Sequence, residues 1–359
     1  MTRELADWTS SVSRERATLD ELGPELDDLL TEIDAPICAR RLWLTVWADS
    51  FVEYTPWITC IRGGGNLAAV ALLAERPRAG HHEIVALGHG PSDYARLPTR
   101  SDEAAERLAE TIADALRQRR RPWRLRIDGL PADDPVAVRL AHELPNATVI
   151  PGEGAPRVLL RPDRPIEAVM NAKDRRSLRS RRKRLSELEG GYTVETIRGT
   201  DAGVDLADIE HVHELRDHAM RQASDIDKPS ARNFWRAVLA AYGAVGAIEV
   251  SRLLVGGDLA AYSIGLLDGR SWRLWDTRIN PAYRSVAAGR VLITDLMERL
   301  QAEGSWDEFD YMRGEEDYKT RLSDDTVPAE HVRAWSSPSL RRLEHAFRAT
   351  RSRLRREAG

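Results

Sequence analysis

The stretch that decides the fold runs from residue 247 to residue 322 and reads AIEVSRLLVGGDLAAYSIGLLDGRSWRLWDTRINPAYRSVAAGRVLITDLMERLQAEGSWDEFDYMRGEEDYKTRL. It contains three β-rich runs that are joined by two tight turns, at Gly256-Gly257-Asp258 and at Asp268-Gly269-Arg270. Glycine beside aspartate between β-rich runs is a strong hairpin signal. This stretch therefore predicts a three-stranded antiparallel meander.

The meander is followed by a turn of small residues, an apolar helix and a short strand. The turn spans residues 284–289, the helix spans 291–300 and the strand spans 309–312. This order resembles the acyl-CoA-binding half of an N-acyltransferase of the GNAT superfamily. The resemblance implies an α/β fold with mixed, mostly antiparallel sheets flanked by helices.

The turn carries the donor site that the resemblance implies. GNAT proteins place an [R/Q]-x-x-G-x-[G/A] motif here, and Arg284, Ala287 and Gly289 stand at its first, fourth and sixth positions, with Ala287 in place of the usual first glycine. Amide N–H groups at a helix N-terminus attract phosphate, and small residues let the anion approach the main chain. The residues expected to hold the pyrophosphate of acyl-CoA are Arg284, Val286, Ala287, Ala288, Gly289 and Arg290.

A second resemblance lies in the segment FDYMRGEEDYK, residues 309–319. It is similar to the F-D-[FLY]-x-R-G-x-x-x-Y-K motif of a GNAT branch found near cellulose-biosynthesis genes, the CelD-like acetyltransferases. The basic segment 171–185 and the loop 90–94 fit the same branch in the same order. The branch is related in fold to the Fem-type aminoacyltransferases of peptidoglycan synthesis, which combine two GNAT-like halves.

The first part of the chain repeats this order of elements. Helices are predicted at 14–33, 36–51, 104–120 and 136–144, and strands at 57–62, 67–74, 84–87 and 123–127. No phosphate-type glycine turn precedes a helix there, so this half is not expected to bind CoA. The predicted organisation is two tandem GNAT-like domains, a degenerate one at 1–150 and an acyl-transfer domain at 157–335, followed by a basic C-terminal helix at 336–359.

Composition narrows the class of protein without identifying a substrate. The 359 residues carry a formal net charge of −4, which excludes a generic polyanion binder. The two cysteines, Cys38 and Cys60, have no ligand-like spacing and are expected to be reduced thiols. No signal-peptide core and no apolar run of membrane length occurs, so the prediction is a cytoplasmic protein with no membrane partner. The nine histidines form no metal motif, so no metal is expected.

Positive charge is concentrated in two segments, 166–188 and 338–357. A helix that is basic on every face is not core, and it is either a solvated helix or a phosphate-binding one. Candidate nucleic-acid contacts are Lys173, Arg176, Arg179, Arg182 and Lys183. They keep tRNA open as a partner, because Fem-type relatives take their acyl group from aminoacyl-tRNA. Segment 166–188 contains no aromatic residue and segment 338–357 contains only Phe347, which disfavours a single-strand RNA reader that stacks bases on aromatic side chains.

Direct attack of an acceptor amine on an acyl thioester sets three tasks: removal of a proton, stabilisation of an oxyanion and protonation of the leaving thiolate. Asp276 and Asp310 end the two strands expected to diverge and are the candidate bases, although either could instead cap a loop or pair with a nearby arginine. Tyr318 is the candidate acid, with Tyr311 in reserve. Lys319 is a candidate anchor for a phosphate or carboxylate. Acceptor contacts are expected from Arg313, Glu315, Asp93 and Tyr94.

The sequence thus predicts an N-acyltransferase that moves an acyl group, in the first instance acetyl, from acyl-CoA to an amine of a small molecule or peptide. Two alternatives stay open. One is an aminoacyl-tRNA-dependent, Fem-like aminoacyltransferase. The other is a non-catalytic binding module with a decayed GNAT fold, which the alanine at position 287 would suit. Neither the acceptor nor the oligomeric state is indicated.

Overall fold

The structure is a computed structural model that describes residues 7–199, 206–220, 224–314 and 316–343. The chain divides into two compact units. The first comprises residues 1–153 together with 328–359, and the second comprises residues 154–327. Within the described residues, no helix is long and apolar enough to cross a membrane.

The first unit is built on a seven-stranded sheet with the order β1-β2-β3-β4-β5-β14-β6. Its strands are β1 (Trp8–Ser13), β2 (Thr55–Gly63), β3 (Asn66–Arg78), β4 (His81–Ala86), β5 (Trp123–Pro131), β6 (Thr148–Pro151) and β14 (Ala329–Trp335). Only β4 and β5 run parallel among these neighbours. The helices of this unit are α1 (Thr18–Glu32), α2 (Arg41–Ser50), α3 (Asp102–Arg117) and α4 (Pro135–Glu143).

The second unit contains another seven-stranded sheet, with the order β13-β7-β12-β11-β10-β9-β8. Its strands are β7 (Ala155–Leu159), β8 (Tyr192–Arg198), β9 (Ile248–Val255), β10 (Asp258–Asp268), β11 (Ser271–Ile279), β12 (Glu308–Asp310) and β13 (Asp325–Val327). Its helices are α5 (Ala172–Ser186), α6 (Leu206–Ala219), α7 (Pro229–Ala244), α8 (Ala288–Glu303) and α9 (Asp317–Thr320). The apolar face of α8 packs on the meander β9–β11 and supplies much of the core of this unit.

The predicted fold class is confirmed: the protein is a mixed α/β protein with two sheets of seven strands flanked by helices. The meander lies where the sequence placed it. The predicted basic helix is interrupted, because a 3-10 turn at Ile166–Val169 is followed by extended backbone at Met170 before α5 begins. Of the predicted C-terminal helix, residues 338–343 are helical and the remainder lies outside the described residues.

One strand differs from the sequence-based domain boundaries. The sequence placed residues up to 335 in the second half, whereas β14 pairs with β5 and β6 of the first sheet. The buried side chains of Val332, Ala334 and Trp335 provide the reason, since they complete the apolar surface of that sheet. The chain therefore leaves the first unit after residue 153 and re-enters it at residue 328.

Candidate functional site

The turn before α8 has the geometry of an anion site. A 3-10 helix, Pro281–Val286, leads into Ala287, which is left-handed with φ 52° and ψ 47°. Helix α8 then starts at Ala288. The N–H of Ala287 donates to the carbonyl oxygen of Arg284 and the N–H of Arg290 to that of Ala287, which leaves the N–H groups of Ala288 and Gly289 for an anion at the positive end of the helix dipole. Among the predicted donor residues, Val286 packs partly buried on the core and Ala288 is fully buried.

Gly289 lets α8 approach the sheet closely. A Cβ atom at this position would stand 2.5 Å from Cγ1 and 2.6 Å from Cδ1 of Ile279 on β11. Such distances are far inside van der Waals contact, so any side chain at position 289 must displace Ile279 or the helix. Ile279 and Gly289 both line the cavity described next.

A cavity of about 450 Å³ opens beside this turn, within the second unit. Its lining residues are Arg181, Arg216, Ala219, Met220, Thr277, Arg278, Ile279, Pro281, Arg284, Ala287, Gly289, Arg290, Ile293, Tyr318 and Leu322. Five of them are arginines and none is acidic. The cavity thus combines an apolar wall with several cationic side chains, which suits a ligand with an anionic part.

Three of these arginines, Arg181, Arg284 and Arg290, form what we call the donor-end group. Arg290 lies 3.0 Å from the carboxylate of the buried Asp174 on α5. Although burial acts to raise it, the pKa of Asp174 lies below its ordinary value because of Arg290. Burial and the neighbouring Arg290 lower the pKa of Arg181. The side chains of Arg181 and Arg284 form no ion pair with any described residue, so part of the positive charge of this group is uncompensated.

The other two arginines, Arg216 and Arg278, form the Asp217 pair. Nη1 of Arg216 lies 3.1 Å from Oδ1 of Asp217, and Nε of Arg278 lies 3.6 Å from the same oxygen. Asp217 is buried and does not line the cavity. Both arginines line the cavity, and the carboxylate that they share does not.

A buried polar network continues behind the Asp217 pair. Nε2 of His213 lies 3.2 Å from Asp217 and 3.3 Å from Arg278, and its Nδ1 lies 3.3 Å from the Tyr262 hydroxyl. That hydroxyl donates to Asp276 over 2.8 Å, and Arg278 donates to Asp276 over 2.6 Å. Every member other than Arg278 is almost completely buried. A network of this kind holds Arg278 in one orientation.

The predicted base Asp276 belongs to this network. Although burial acts to raise it, the pKa of the Asp276 carboxyl lies well below its ordinary value, chiefly because of the Arg278 guanidinium. Burial and the Asp276 carboxylate raise the pKa of Tyr262 well above its ordinary value. Asp276 is therefore ionised and Tyr262 neutral throughout the physiological range. The sequence missed His213 and Asp217, whose signal is a His-x-x-x-Asp spacing that places both on one face of α6.

Tyr318 lies in the cavity wall and is 42% exposed. Its hydroxyl forms no hydrogen bond with any described residue. Burial and then the Glu316 carboxylate raise the pKa of Tyr318 to about 12, against the opposing effect of Arg278 and Arg216. The phenol therefore stays protonated at neutral pH. The reserve acid Tyr311 is fully buried, and its hydroxyl lies 3.9 Å from Sδ of Met297.

Asp310 occupies a different environment from Asp276. One carboxylate oxygen accepts a hydrogen bond from Arg273, which lies opposite it in the β11–β12 ladder. The other oxygen accepts the N–H of Met312 over 2.7 Å. Asp310 is buried and does not line the cavity. These contacts favour a structural role, with the carboxylate holding the end of β12.

The remaining predicted residues of the closing motif lie in the loop after β12. Lys319 is buried, and its Nζ donates to the carbonyl oxygen of Arg313 over 2.9 Å and lies 3.1 Å from the Glu316 carboxylate. The ammonium thus holds this loop. Arg313 is half-buried, and Glu315 lies outside the described residues. Asp93 and Tyr94 belong to the first unit, where their backbone closes on Gly129.

The basic side chains of α5 divide into two kinds. Arg182 is anchored, because it donates to Asp295 over 2.5 Å and to Glu298 over 2.7 Å. Lys173, Arg176, Arg179 and Lys183 are exposed. In the described part of the chain, no group of three His, Cys, Asp or Glu side chains is arranged to hold a metal ion.

In sequence, residues 172–320 match the family model of an acetyltransferase (GNAT) domain. In structure, the chain is similar to FemX, with a TM-score of 0.61 and 9% identity over 93% of this chain and 99% of that one. A tandem GNAT protein from the clavulanic acid biosynthesis pathway gives a TM-score of 0.56 at 16% identity, over 92% of this chain and 99% of that one. L-PGS from Bacillus licheniformis gives a TM-score of 0.54 at 11% identity, over 87% of this chain and 91% of that one. No curated protein matches the chain in sequence.

Proposed function

We propose that the second unit is an N-acyltransferase that moves an acyl group from acyl-CoA to the amine of a small molecule or peptide. The observation that carries this proposal is the cavity whose described lining residues include five arginines and no acid, and which joins the start of α8 to Tyr318. The GNAT domain match over residues 172–320 supports the same reaction class. The closing motif at 309–319 supports a place in the CelD-like branch, and a cytoplasmic enzyme of biosynthesis is the setting we propose for it.

The donor end of the cavity fits a thioester of CoA. The N–H groups at the start of α8 and the donor-end group of Arg181, Arg284 and Arg290 are hydrogen-bond donors of the kind that binds a pyrophosphate. When bound, acyl-CoA supplies the activated acyl group. The apolar residues Ile279, Ile293 and Leu322 give the cavity a wall for the uncharged part of the donor.

The chemistry needs few groups from the protein. The amine nitrogen attacks the thioester carbon, the C–S bond breaks, and the thiolate takes a proton. Tyr318 is in the cavity and protonated, so we assign it that proton transfer. Asp276 is a weak base, because its pKa is depressed, so we assign it the positioning of Arg278. The amine loses its proton to water, and Tyr318 regains a proton from water, so the proton count balances over one turnover.

Titration of the unmodified protein with CoA and acetyl-CoA tests the donor directly. We expect binding in the nanomolar to micromolar range, with a stoichiometry of one per chain, and acetyl transfer to at least one amine with release of free CoA. A protein that binds neither CoA nor aminoacyl-tRNA would instead support the decayed binding module.

Asp276→Asn and Asp310→Asn are expected to separate the two predicted bases. We expect Asp276→Asn to lower turnover by about 10²-fold at saturating donor, because a misplaced Arg278 costs catalytic alignment. Asp310→Asn should keep near-normal turnover and lose stability, on the order of 1–3 kcal/mol, because Arg273 loses a charged partner while the N–H of Met312 keeps an acceptor. Turnover and chemical denaturation are measured on the same samples.

The pH–rate profile distinguishes positioning from base catalysis at Asp276. If Asp276 positions Arg278, Asp276→Asn should lower the rate by the same factor at every pH. If Asp276 is a general base, Asp276→Asn should instead remove the acidic limb of the pH–rate profile that the unmodified enzyme shows. A large loss of turnover in well-folded Asp310→Asn would return Asp310 to the mechanism.

The second candidate function is aminoacyl transfer from tRNA. The observation that favours it is the row of exposed cations on α5, at Lys173, Arg176, Arg179 and Lys183, in a chain with the fold of FemX. In this reaction the acyl group arrives as an ester on RNA, and the exposed cations of α5 contact the phosphate backbone.

A triple variant, Arg176→Gln, Arg179→Gln and Lys183→Gln, tests this candidate. We leave Arg182 unchanged because it is anchored to Asp295 and Glu298. If tRNA binds here, the variant should bind tRNA more weakly. The slope of log K against log salt should become shallower by about 2, because each of the three lost phosphate contacts contributes about 0.7–0.9 to the slope. The matched control replaces three exposed arginines elsewhere, Arg117, Arg236 and Arg270, by Gln and changes the net charge equally. Equal salt slopes in both triples would exclude α5 as the RNA surface.

A further inference from the structure

The first unit contains a group of charged side chains at the carboxyl ends of β4 and β5. These two strands run parallel, and their pairing ends at Val85 opposite Arg126. Strand β4 ends at Ala86, whereas β5 continues to Pro131. In open sheets, the carboxyl ends of neighbouring parallel strands are a common place for a ligand site. Arg126 stands at this point of the fold, where the two strands separate.

The guanidinium group of Arg126 has one anchored end and one open end. Its Nε donates to Oδ2 of Asp128 over 2.6 Å, which fixes the plane of the group. Its Nη1 and Nη2 form no hydrogen bond with any described residue, and both remain accessible to solvent. The side chain is 33% exposed. A guanidinium that is held through Nε and open at both terminal nitrogens offers paired N–H donors to a carboxylate or a phosphate group.

Arginines outnumber acids in this part of the first sheet. Asp128 accepts a second hydrogen bond from Arg333. On β4, the buried Glu83 forms ion pairs with Arg76, Arg78 and Arg124. These two carboxylates pair with five arginines in total, and the exposed Glu53 is a further partner of one of them. The resulting excess of positive charge favours the approach of an anion.

The imidazole of His89 lies beside the carboxylate that anchors Arg126. Its Nδ1 is 3.6 Å from Oδ2 of Asp128, the same oxygen that accepts from Arg126. Burial, and after it the charge of Arg126, lowers the pKa of His89 to about 4. The carboxylates of Asp128 and Glu83 act to raise this pKa, and Arg76 acts to lower it. His89 is therefore neutral at physiological pH, and its ring is placed to respond to an anion on Arg126.

We infer that the first unit binds an oxyanion, the carboxylate or phosphate group of a ligand, on the open end of Arg126 and beside His89. Asp128 is the positioning residue, since it holds the guanidinium through Nε and leaves the two terminal nitrogens to the ligand. This site belongs to the first unit and is independent of the acyl transfer proposed for the second.

NMR of the histidine rings tests the inference on the full chain. The rings are isotope-labelled, the His89 signal is assigned with His89→Gln, and sodium phosphate and sodium acetate are added separately at neutral pH and constant ionic strength. We expect at least one anion to shift the His89 signal saturably, and the anion that binds more tightly identifies the ligand group as phosphate or carboxylate. Arg126→Gln should weaken this binding by about 10- to 100-fold, the value of hydrogen bonds to a charged group. Arg126→Lys keeps the charge without the fork and should retain part of the affinity.

Two controls separate this site from general charge effects and from the donor site. Arg117→Gln removes an exposed arginine of the same unit, paired with Asp114 and Glu143, and should leave the His89 titration unchanged. Gly289→Glu is directed at the donor end of the second unit, so the shift of the His89 signal should persist in it. The signals of the other histidines and the melting temperature report folding, and Asp128 keeps Arg333 as a partner in Arg126→Gln.

Three results would overturn the inference. The first is a His89 signal that neither anion shifts. The second is a shift that grows linearly with concentration and does not saturate. The third is an unchanged affinity in well-folded Arg126→Gln, which would place the anion on other groups.

Discussion

Gly289→Glu is expected to abolish the binding of CoA and acetyl-CoA. The added Cβ would stand 2.5 Å from a side-chain atom of Ile279, so either this side chain or the start of α8 must move. The added carboxylate would also bring negative charge to the amides and arginines that are proposed to hold the pyrophosphate. Loss of two charge-assisted hydrogen bonds corresponds to a fall in affinity of about 10²–10⁴-fold. Isothermal titration calorimetry of the unmodified and variant proteins measures the loss.

Two graded variants separate bulk from charge at this position. Gly289→Ala adds only the Cβ, and it should weaken binding less than Gly289→Glu does. Adding Ile279→Ala to Gly289→Ala removes the atoms that the new Cβ meets, so the double variant should recover affinity relative to Gly289→Ala alone. Equal CoA affinity in the unmodified protein and in well-folded Gly289→Glu would place the donor elsewhere.

The sequence was informative for the meander and for the turn before α8, where the deciding contacts are local. Two glycine turns fixed the meander β9–β11, and the small residues before α8 indicated the positive end of a helix. Ala287 shows the limit of the motif: the usual glycine is absent, yet the residue adopts the left-handed conformation with φ 52°. The backbone shape was therefore retained at a position where an alanine costs roughly 1 kcal/mol.

Non-local pairing explains what the sequence did not predict. Strand β14 pairs with β5 at a separation of about 200 residues, as Val332 opposite Ile127 shows. A run such as Ala329–Trp335 carries no signal for which of two similar sheets it joins. The pairing of β7 with β12 is also non-local, since it sets Phe309 opposite Val158.

Non-local pairing also decides the environments of the two candidate bases, which the sequence alone does not distinguish. Asp276 and Asp310 both follow apolar strand residues and look equivalent in sequence. The register separates them, because it sets Arg273 opposite Asp310 and leaves Asp276 to the network of Arg278 and Tyr262. His213 belongs to no motif in the sequence, and its structural partner is Asp217, one helical turn away.

Tyr318→Phe is expected to lower turnover by about 10²–10⁴-fold, the typical loss on removal of one proton-transfer catalyst. Donor affinity should stay unchanged, because the hydroxyl contacts no described residue and the ring remains. For the same reason, the free energy of unfolding should change by less than about 0.5 kcal/mol. Turnover at saturating acetyl-CoA, donor titration and chemical denaturation together check the three expectations.

The matched control for this variant is Tyr311→Phe. Its hydroxyl is buried beside Met297, and its ring packs edge-on against Tyr318 at 6.2 Å. Tyr311→Phe removes the same atom from the same neighbourhood without touching the cavity, so turnover should stay near normal. A large loss in Tyr311→Phe together with normal turnover in Tyr318→Phe would assign the acid role to Tyr311.

The pH dependence gives a second and independent test of Tyr318. Its pKa is raised to about 12, so a proton donor at this position stays protonated across the neutral and mildly alkaline range. Ionisation of Tyr318 should therefore cause no loss of rate in the unmodified enzyme below about pH 10. The profiles of the unmodified enzyme and of Tyr318→Phe should have the same alkaline shape in this range. In the unfolded chain, Tyr318 begins to lose its proton near pH 10, whereas in the folded protein its raised pKa keeps it neutral at that pH. Above pH 10 the free energy of unfolding should therefore fall before Tyr318 ionises in the folded protein. An alkaline limb near neutral pH that disappears in Tyr318→Phe would contradict the raised pKa, whereas a uniform loss of rate at every pH supports the role of the phenol as the acid for the thiolate.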